Sequence, residues 1–278
     1  MTNEKLTGIF ESVRKTVPLV HCITNYVTVN DVANMLLACG ASPIMADDAA
    51  EAAGITSFCS ATYINIGTLN ARTIDSMLLA GKKAEELHHP LVLDPVGAGA
   101  SPFRTDTVRR LMDAVHFTVI KGNMSEIKTI AQGSGTTRGV DADAGDTVTE
   151  ENLAAAAGFV RSLAVQTGSV IAVTGAVDII SGGEKTYVCR NGHPMLKAIT
   201  GSGCMLGAVA AAFCGANPGS PAEAAAAAVS AVGLCGERAY RKTAAEGAGT
   251  GSFRTYLLDA VSLLTPQIFV EGCKIEEY

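Results

Sequence analysis

Several short stretches of the chain carry residue types that suit phosphate chemistry. In ITGSGCMLGAVAAAF, Ile199 to Phe213, a glycine-rich turn runs into an alanine-rich helix with a thiol in its first turn. Gly201 and Gly203 allow a tight turn and close approach of a ligand, while the first N–H groups of a helix lack intrahelical partners. Those donors, with the positive end of the helix dipole, suit an anion such as phosphate. Cys204 stands beside that site, where the same field is expected to lower the thiol pKa from about 8.5. A plain tight connection and a small core cysteine are competing readings of the same pattern.

Carboxylates add to the picture. Asp94 ends PLVLD and is followed by PVGAGA, and Glu126 lies in KGNMSEI on the first turn of the next helix. Two hard oxygen ligands in one cleft are what a magnesium ion carried by phosphates needs. Taken separately, Glu126 reads as a helix cap and Asp94 as a turn former. Lys121 closes HFTVIK and offers a positive charge to a phosphate, and Thr174 closes SVIAVT and offers a hydroxyl. Asn25 follows PLVHCIT, Met45 lies in SPIMA, and Gly67 and Thr68 follow ATYINI, each where an apolar run opens into a loop. His21, inside the first of these runs, reads as a hydrogen-bonded strand histidine rather than a pocket residue.

The elements that must position these residues follow a strand and helix period. A first helix is expected over Glu4 to Thr16, capped by Asn3, with Leu6, Ile9, Phe10 and Val13 at helical spacing. Further helices are expected over Thr28 to Cys39, stopped by Gly40, and over Ala49 to Cys59, Ala71 to Leu87, Arg104 to Val115, Asn123 to Ala131 and Glu150 to Gln166. Short apolar runs separate them. Strand, helix, strand at this spacing means parallel pairing with right-handed crossovers, and unbroken apolar strands imply a sheet covered on both faces. Ligands of such folds bind beyond the carboxyl ends of the strands, the edge where Asn25, Met45, Gly67, Thr68, Asp94, Lys121, Thr174 and the Gly201 to Cys204 turn are expected to fall. VDII and KTYVC, around Ser181 to Glu184, predict a hairpin that turns the sheet antiparallel at one edge. The glycine-rich, polar stretch from Gly133 to Val148 is expected to be a loop. The last third reads as helical: Gly201 to Phe213, Pro221 to Glu246 and Phe253 to Leu264.

The whole chain excludes several classes. Its 278 residues carry a net charge of -6 and no basic stripe, which argues against a nucleic-acid partner. Eight cysteines occur without C-x-x-C pairs or His clusters, so neither a disulfide framework nor a zinc site is expected, and reduced thiols in a cytoplasm fit. The amphipathic start reads as neither a signal nor a transit peptide, and the alanine-rich region from Ala198 to Ala222 is a poor membrane span. A thiol enzyme with a histidine partner, His193 or His21, and a non-catalytic binding protein stand as rival readings.

VHCITNYVT, GASPIMA, NIGTL, LDPVGAGASPFR, KGNMSEI, AVTGAVDII and TGSGCML, in this order, resemble the hydroxyethylthiazole kinases of the ribokinase-like superfamily. The resemblance spans about Leu6 to Leu264. It implies a single domain over residues 1–278, a three-layer α/β/α fold with a mostly parallel central sheet and no β lid, and a homotrimer with active sites at subunit interfaces. It implies transfer of the γ-phosphate of ATP, with Mg2+, to the primary alcohol of 4-methyl-5-(2-hydroxyethyl)thiazole; hydroxymethylpyrimidine kinase is the nearest alternative. By motif, Met45 and Gly201 would contact the thiazole with Asn25, Gly67 and Thr68 nearby. Lys121 and Thr174 would contact ATP, Asp94 and Glu126 would organise magnesium, and Cys204 stands where most of the superfamily has an aspartate base. Two positions depart from the pattern: Lys121 where arginine is common, losing the bidentate fork, and Ser202 where alanine is usual.

Overall fold

Residues along each central strand alternate between two cores. In the computed structural model, which describes residues 1–132 and 146–278, six strands run parallel. They are β1 (Leu19–Ile23), β2 (Ser42–Met45), β3 (Ala61–Asn65), β4 (Leu91–Asp94), β5 (Val119–Asn123) and β6 (Val170–Thr174). Val20, Cys22, Ala61, Tyr63, Val92 and Val119 enter one core, whereas Ile23, Ile64, Leu91, Leu93 and Ile120 enter the other. Two-sided burial explains why these strands read as continuous apolar runs.

Helices α1 (Asn3–Thr16) and α2 (Val29–Cys39) cover the first core. The second is covered by α3 (Ala52–Thr56), α4 (Ala71–Glu86), α5 (Pro102–Ala114), α6 (Met124–Gln132) and α7 (Leu153–Thr167). The chain returns to the first side with α8 (Ser202–Ala216), α9 (Pro221–Ala245), α10 (Thr250–Ser262) and α11 (Pro266–Gly272). The result is the expected three-layer α/β/α arrangement. Strands β7 (Asp178–Ser181), β8 (Thr186–Cys189) and β9 (Ile275–Glu277) add an antiparallel edge, giving the order β2-β1-β3-β4-β5-β6-β7-β8-β9. All described strands belong to this one sheet, so no separate β lid stands among the described residues.

Local chemistry moves several boundaries. Thr2, not Asn3, caps α1, its hydroxyl accepting from Lys5 N, because Asn3 already lies inside the helix. The helix expected over Ala49 to Cys59 shrinks to α3. Asp48 accepts from Ala50 N at 2.9 Å, and this side-chain turn occupies the first residues of that span. The hairpin turn lies one residue later than expected, over 182–185, with Gly183 at φ 90°. The loop expected from Gly133 to Val148 lies outside the described residues as far as residue 145. Strand β9 was not expected: three residues are too few to show a period. No described helix is long and apolar enough to cross a membrane.

Candidate active site

Residues two apart on a strand share a face. Asp94 therefore faces the same side as Val92, Lys121 the same side as Val119, and Asn65 the same side as Tyr63, all toward the core that α8 covers. The start of α8 lies over them. Gly201 caps that helix at φ 81°, and a Cβ there would stand 2.3 Å from Thr28 Cγ2, so both conformation and space require glycine. Gly203 serves differently from expectation. It sits inside the helix, where its carbonyl oxygen accepts from Lys121 Nζ at 3.0 Å and a Cβ would lie 3.4 Å from that nitrogen. One turn on, a Cβ on Gly207 would meet the Tyr63 ring at 2.7 Å, so the helix rests directly on β3. Among the described residues no side chain caps the N-terminus of α8. Its first-turn donors are left for an anion, as the sequence suggested.

A buried hydrogen-bond network joins the strand ends. Asp94 Oδ2 accepts from Lys121 Nζ at 2.8 Å and from Asn65 Nδ2 at 3.2 Å. The Tyr63 hydroxyl lies 2.8 Å from the same oxygen and 2.9 Å from the Cys204 carbonyl oxygen, and accepts from Asn65 Nδ2 at 2.8 Å. Asn65 Oδ1 accepts from Asn25 Nδ2 and from Gly67 N, both at 2.9 Å. Asn25 Nδ2 also lies 3.3 Å from Cys204 Sγ, while its Oδ1 accepts from the backbone and hydroxyl of Thr28. Every polar atom of Asn65 is used. Asp94 Oδ1, by contrast, is buried without a hydrogen-bond partner among the described residues.

Burial sets the protonation states. It pushes the Glu126 carboxyl up to about 7, helped by the nearby charge of Asp94 and opposed by Lys121 and the N–H groups of Gly97 and Asn123. Those N–H groups donate to Glu126 Oε1 and Oε2 at 2.8 Å each, and Asn123 Oδ1 accepts in turn from Glu126 N. This reciprocal pair is a capping box. Burial alone would lower the Lys121 pKa, but Asp94 and Cys204 hold it above the usual lysine value. The expectation of a lowered Cys204 pKa fails: burial and the charge of Asp94 raise it, outweighing Lys121 and the hydrogen bonds from Asn65 and Asn25. The thiol is enclosed rather than exposed to the helix field alone.

One pH effect follows. Glu126 binds its proton more tightly in the folded chain than at its ordinary 4.5, so the folded state holds more protons between pH 4.5 and about 7. Its contribution to stability therefore declines as pH rises through that window. Without nucleotide and magnesium, Glu126→Gln is expected to gain stability relative to the parent chain between pH 4.5 and 7.5, read from denaturant midpoints.

Asn25, Asp94, Lys121 and Cys204 are thus brought into one network, with Gly201 at the start of the helix above it. Glu126 stands beside it through charge, and Gly67 joins through its N–H. Thr68 Oγ1 accepts from Tyr26 N at 3.1 Å, on the loop after β3. Thr174 ends β6 opposite Asn123, its hydroxyl 3.4 Å from the Gly122 oxygen. Met45, half-buried at the end of edge strand β2, lies one strand beyond β1, beside Cys22 rather than in the cluster. His21 is a satisfied core residue, bonded to Thr56 Oγ1 and the Ala46 oxygen, and His193 stacks on Tyr240. Neither is hydrogen-bonded to Cys204, which removes the support for a thiol-histidine pair. The sequence reading missed Tyr63 and Asn65. Strand period would have placed both on the face of Asp94, had the position of α8 been known.

Among the described residues no group of three or more His, Cys, Asp or Glu side chains forms a metal cage. The unpartnered Asp94 oxygen near Glu126 nevertheless fits a cation brought in on phosphates, which needs only one or two carboxylates. A surface depression along α5, between Asp106, Arg109, Arg110 and Asp113, lies away from this network.

Comparison with known proteins agrees with this geometry. Residues 10–267 match the model of the hydroxyethylthiazole kinase family. The chain is 53% identical over 268 residues to the hydroxyethylthiazole kinase of Clostridium acetobutylicum, covering 96% of this chain and 98% of that one. The structure of the hydroxyethylthiazole kinase of Pyrococcus horikoshii OT3 superposes with a TM-score of 0.87 at 34% identity, covering 99% of each chain. Bacillus subtilis pyridoxal kinase in complex with ADP, at 18% identity and a TM-score of 0.55 over 78% of this chain and 90% of that one, shares the fold. With a matching family model over most of its length and close relatives over nearly all of it, the chain belongs to the hydroxyethylthiazole kinase family.

Proposed function

We propose that this chain transfers the γ-phosphate of ATP to the primary hydroxyl of 4-methyl-5-(2-hydroxyethyl)thiazole, giving the thiazole phosphate used in thiamine salvage. The observation that carries the reading is the meeting of Asp94, Lys121 and Cys204 beneath the uncapped start of α8. The family supplies the acceptor and gives no support to the pyrimidine alternative. Residues 1–278 act as one kinase domain built on the single sheet.

In this reading Asp94 and Glu126 hold Mg2+, which when bound neutralises charge on the phosphates of ATP. Phosphoryl transfer depends mainly on position and charge stabilisation. The first-turn N–H groups of α8 receive the oxygens of the transferred group, and Lys121, held protonated by Asp94, adds a fixed positive charge. Lys121 and Thr174 contact the nucleotide. Met45 and Gly201 contact the thiazole, with Asn25, Gly67 and Thr68 beside it. Asn25 also keeps the Cys204 sulfur in place.

Cys204 accepts the proton of the alcohol in this scheme, a role that requires the thiolate. Burial favours the thiol instead, so the base contributes modestly. Cys204→Ala is expected to lower kcat by about 10²-fold, the low end of general base catalysis, with KM for ATP nearly unchanged in steady-state assays. Full activity in that variant would remove Cys204 from the mechanism.

The working assembly is a homotrimer with sites at subunit interfaces, a reading supported by the exposed apolar side chains of Tyr26 and Val27 directly after Asn25. Its eight free cysteines suit the cytoplasm. The direct test of function is ADP release by the purified protein with ATP and Mg2+, comparing hydroxyethylthiazole, hydroxymethylpyrimidine and no acceptor. Thiazole-dependent release is expected; equal release in all three would overturn the reading.

A further inference from the structure

Arg104, in the first turn of α5, has been given no role so far, although it meets the backbone of one site residue, Gly67. Its guanidinium is part-buried, and no ion-pair partner for it is found among the described residues. Its donors go to backbone carbonyls instead: Nη1 to the Ile66 oxygen at 3.0 Å and the Val96 oxygen at 2.5 Å, and Nη2 to the Gly67 oxygen at 2.6 Å. These acceptors belong to two different loops, one leaving β3 and one leaving β4. The residue itself is well anchored, since Ser101 caps α5 by accepting from Arg104 N and Pro102 opens the helix.

Each loop also reaches a different half of the site. On the first, Gly67 N donates to Asn65 and Thr68 Oγ1 accepts from Tyr26 N, beside Asn25. On the second, Gly97 N follows Val96 directly and donates to Glu126 Oε1. One backbone bond, Ile66 N to the Asp94 oxygen at 3.3 Å, also crosses between the two segments. Beyond the strand ends, where Asn65 and Tyr63 already reach Asp94, the three bonds of Arg104 tie the two loops to each other.

We propose that Arg104 is a positioning residue that clamps the acceptor loop to the loop supporting Glu126, so that alcohol and γ-phosphate are held at one fixed separation. This rests on the phosphotransfer reading above. A planar guanidinium can serve three carbonyls in two directions at once, whereas a lysine ammonium concentrates its donors at one point. Loss of the clamp should loosen both loops together and harm the alignment of reactants more than the binding of either, because misplacement of about 1 Å is enough to cost about 10²-fold in rate.

Hydrogen exchange and steady-state kinetics on the full chain, with Arg104→Lys and Arg104→Met beside the parent, test this. In both variants, amides over 66–69 and 96–99 are expected to exchange about tenfold faster, the loss expected for a hydrogen bond to a charged group. For the same variants kcat should fall about 10²-fold while KM for ATP moves far less, and more ADP should be released per thiazole phosphate formed. Unchanged exchange in either loop overturns the clamp, as does a lysine variant with the parent kcat, which would reduce Arg104 to a bare charge. If the parent shows no thiazole-dependent ADP release but both loops loosen, the kinase reading falls and the clamp stands.

Discussion

Asp94→Asn is expected to lower thiazole-dependent ADP release by about 10³-fold, the scale seen when a group that stabilises developing charge is removed. The substitution nearly preserves shape, and an amide can still accept through one oxygen. It removes the charge, however, from the one carboxylate in the network with a buried, unpartnered oxygen. It also leaves the Lys121 ammonium without the opposing charge that holds its pKa up, so burial is less opposed. Both the cation and the fixed positive charge weaken together. The measurement is kcat over a magnesium titration: a loss that excess magnesium fully repairs would show that Asp94 acts only through cation affinity.

Lys121→Met is expected to be the most destabilising of these changes, by about 3–5 kcal/mol, because it strands a buried carboxylate without its partner. The two side chains are 5% and 1% exposed and meet at 2.8 Å. Asp94 would keep hydrogen bonds from Tyr63 and Asn65 but lose the only cation bonded to it among the described residues. The double variant Lys121→Met with Asp94→Asn should recover part of that stability, since it removes the uncompensated charge, yet stay inactive. Urea unfolding of the singles and the double reads this coupling. A single variant as stable as the parent would mean that water reaches Asp94 in the folded chain.

The alternating cores were legible because strand and helix periods are local properties. Val92 and Leu93, or Val119 and Ile120, are neighbours in sequence that must face opposite sides, and the runs around them are apolar throughout because both sides are covered. Asp94, Lys121 and Asn25 were legible for the same reason, as polar residues where such runs end. Short elements were less so. Strand β9 and helix α3 are set by pairing with β8 and by the Asp48 side-chain turn, which leave little trace in periodicity.

By itself, then, the sequence determined the α/β layering, the direction of the first six strands and the glycine turn before α8. It also determined which residue types stand at the strand ends, because all of these follow from spacing and side-chain type. Only the tertiary structure decided that Tyr63 and Asn65 bind Asp94 to Asn25, that the Gly203 carbonyl receives Lys121, and that Arg104 spans two loops. It also reversed the expectation for Cys204. A helix start lowers a thiol pKa through its field, but the packing of α8 on β3 and the charge of Asp94 decide the balance, and both depend on residues distant in sequence.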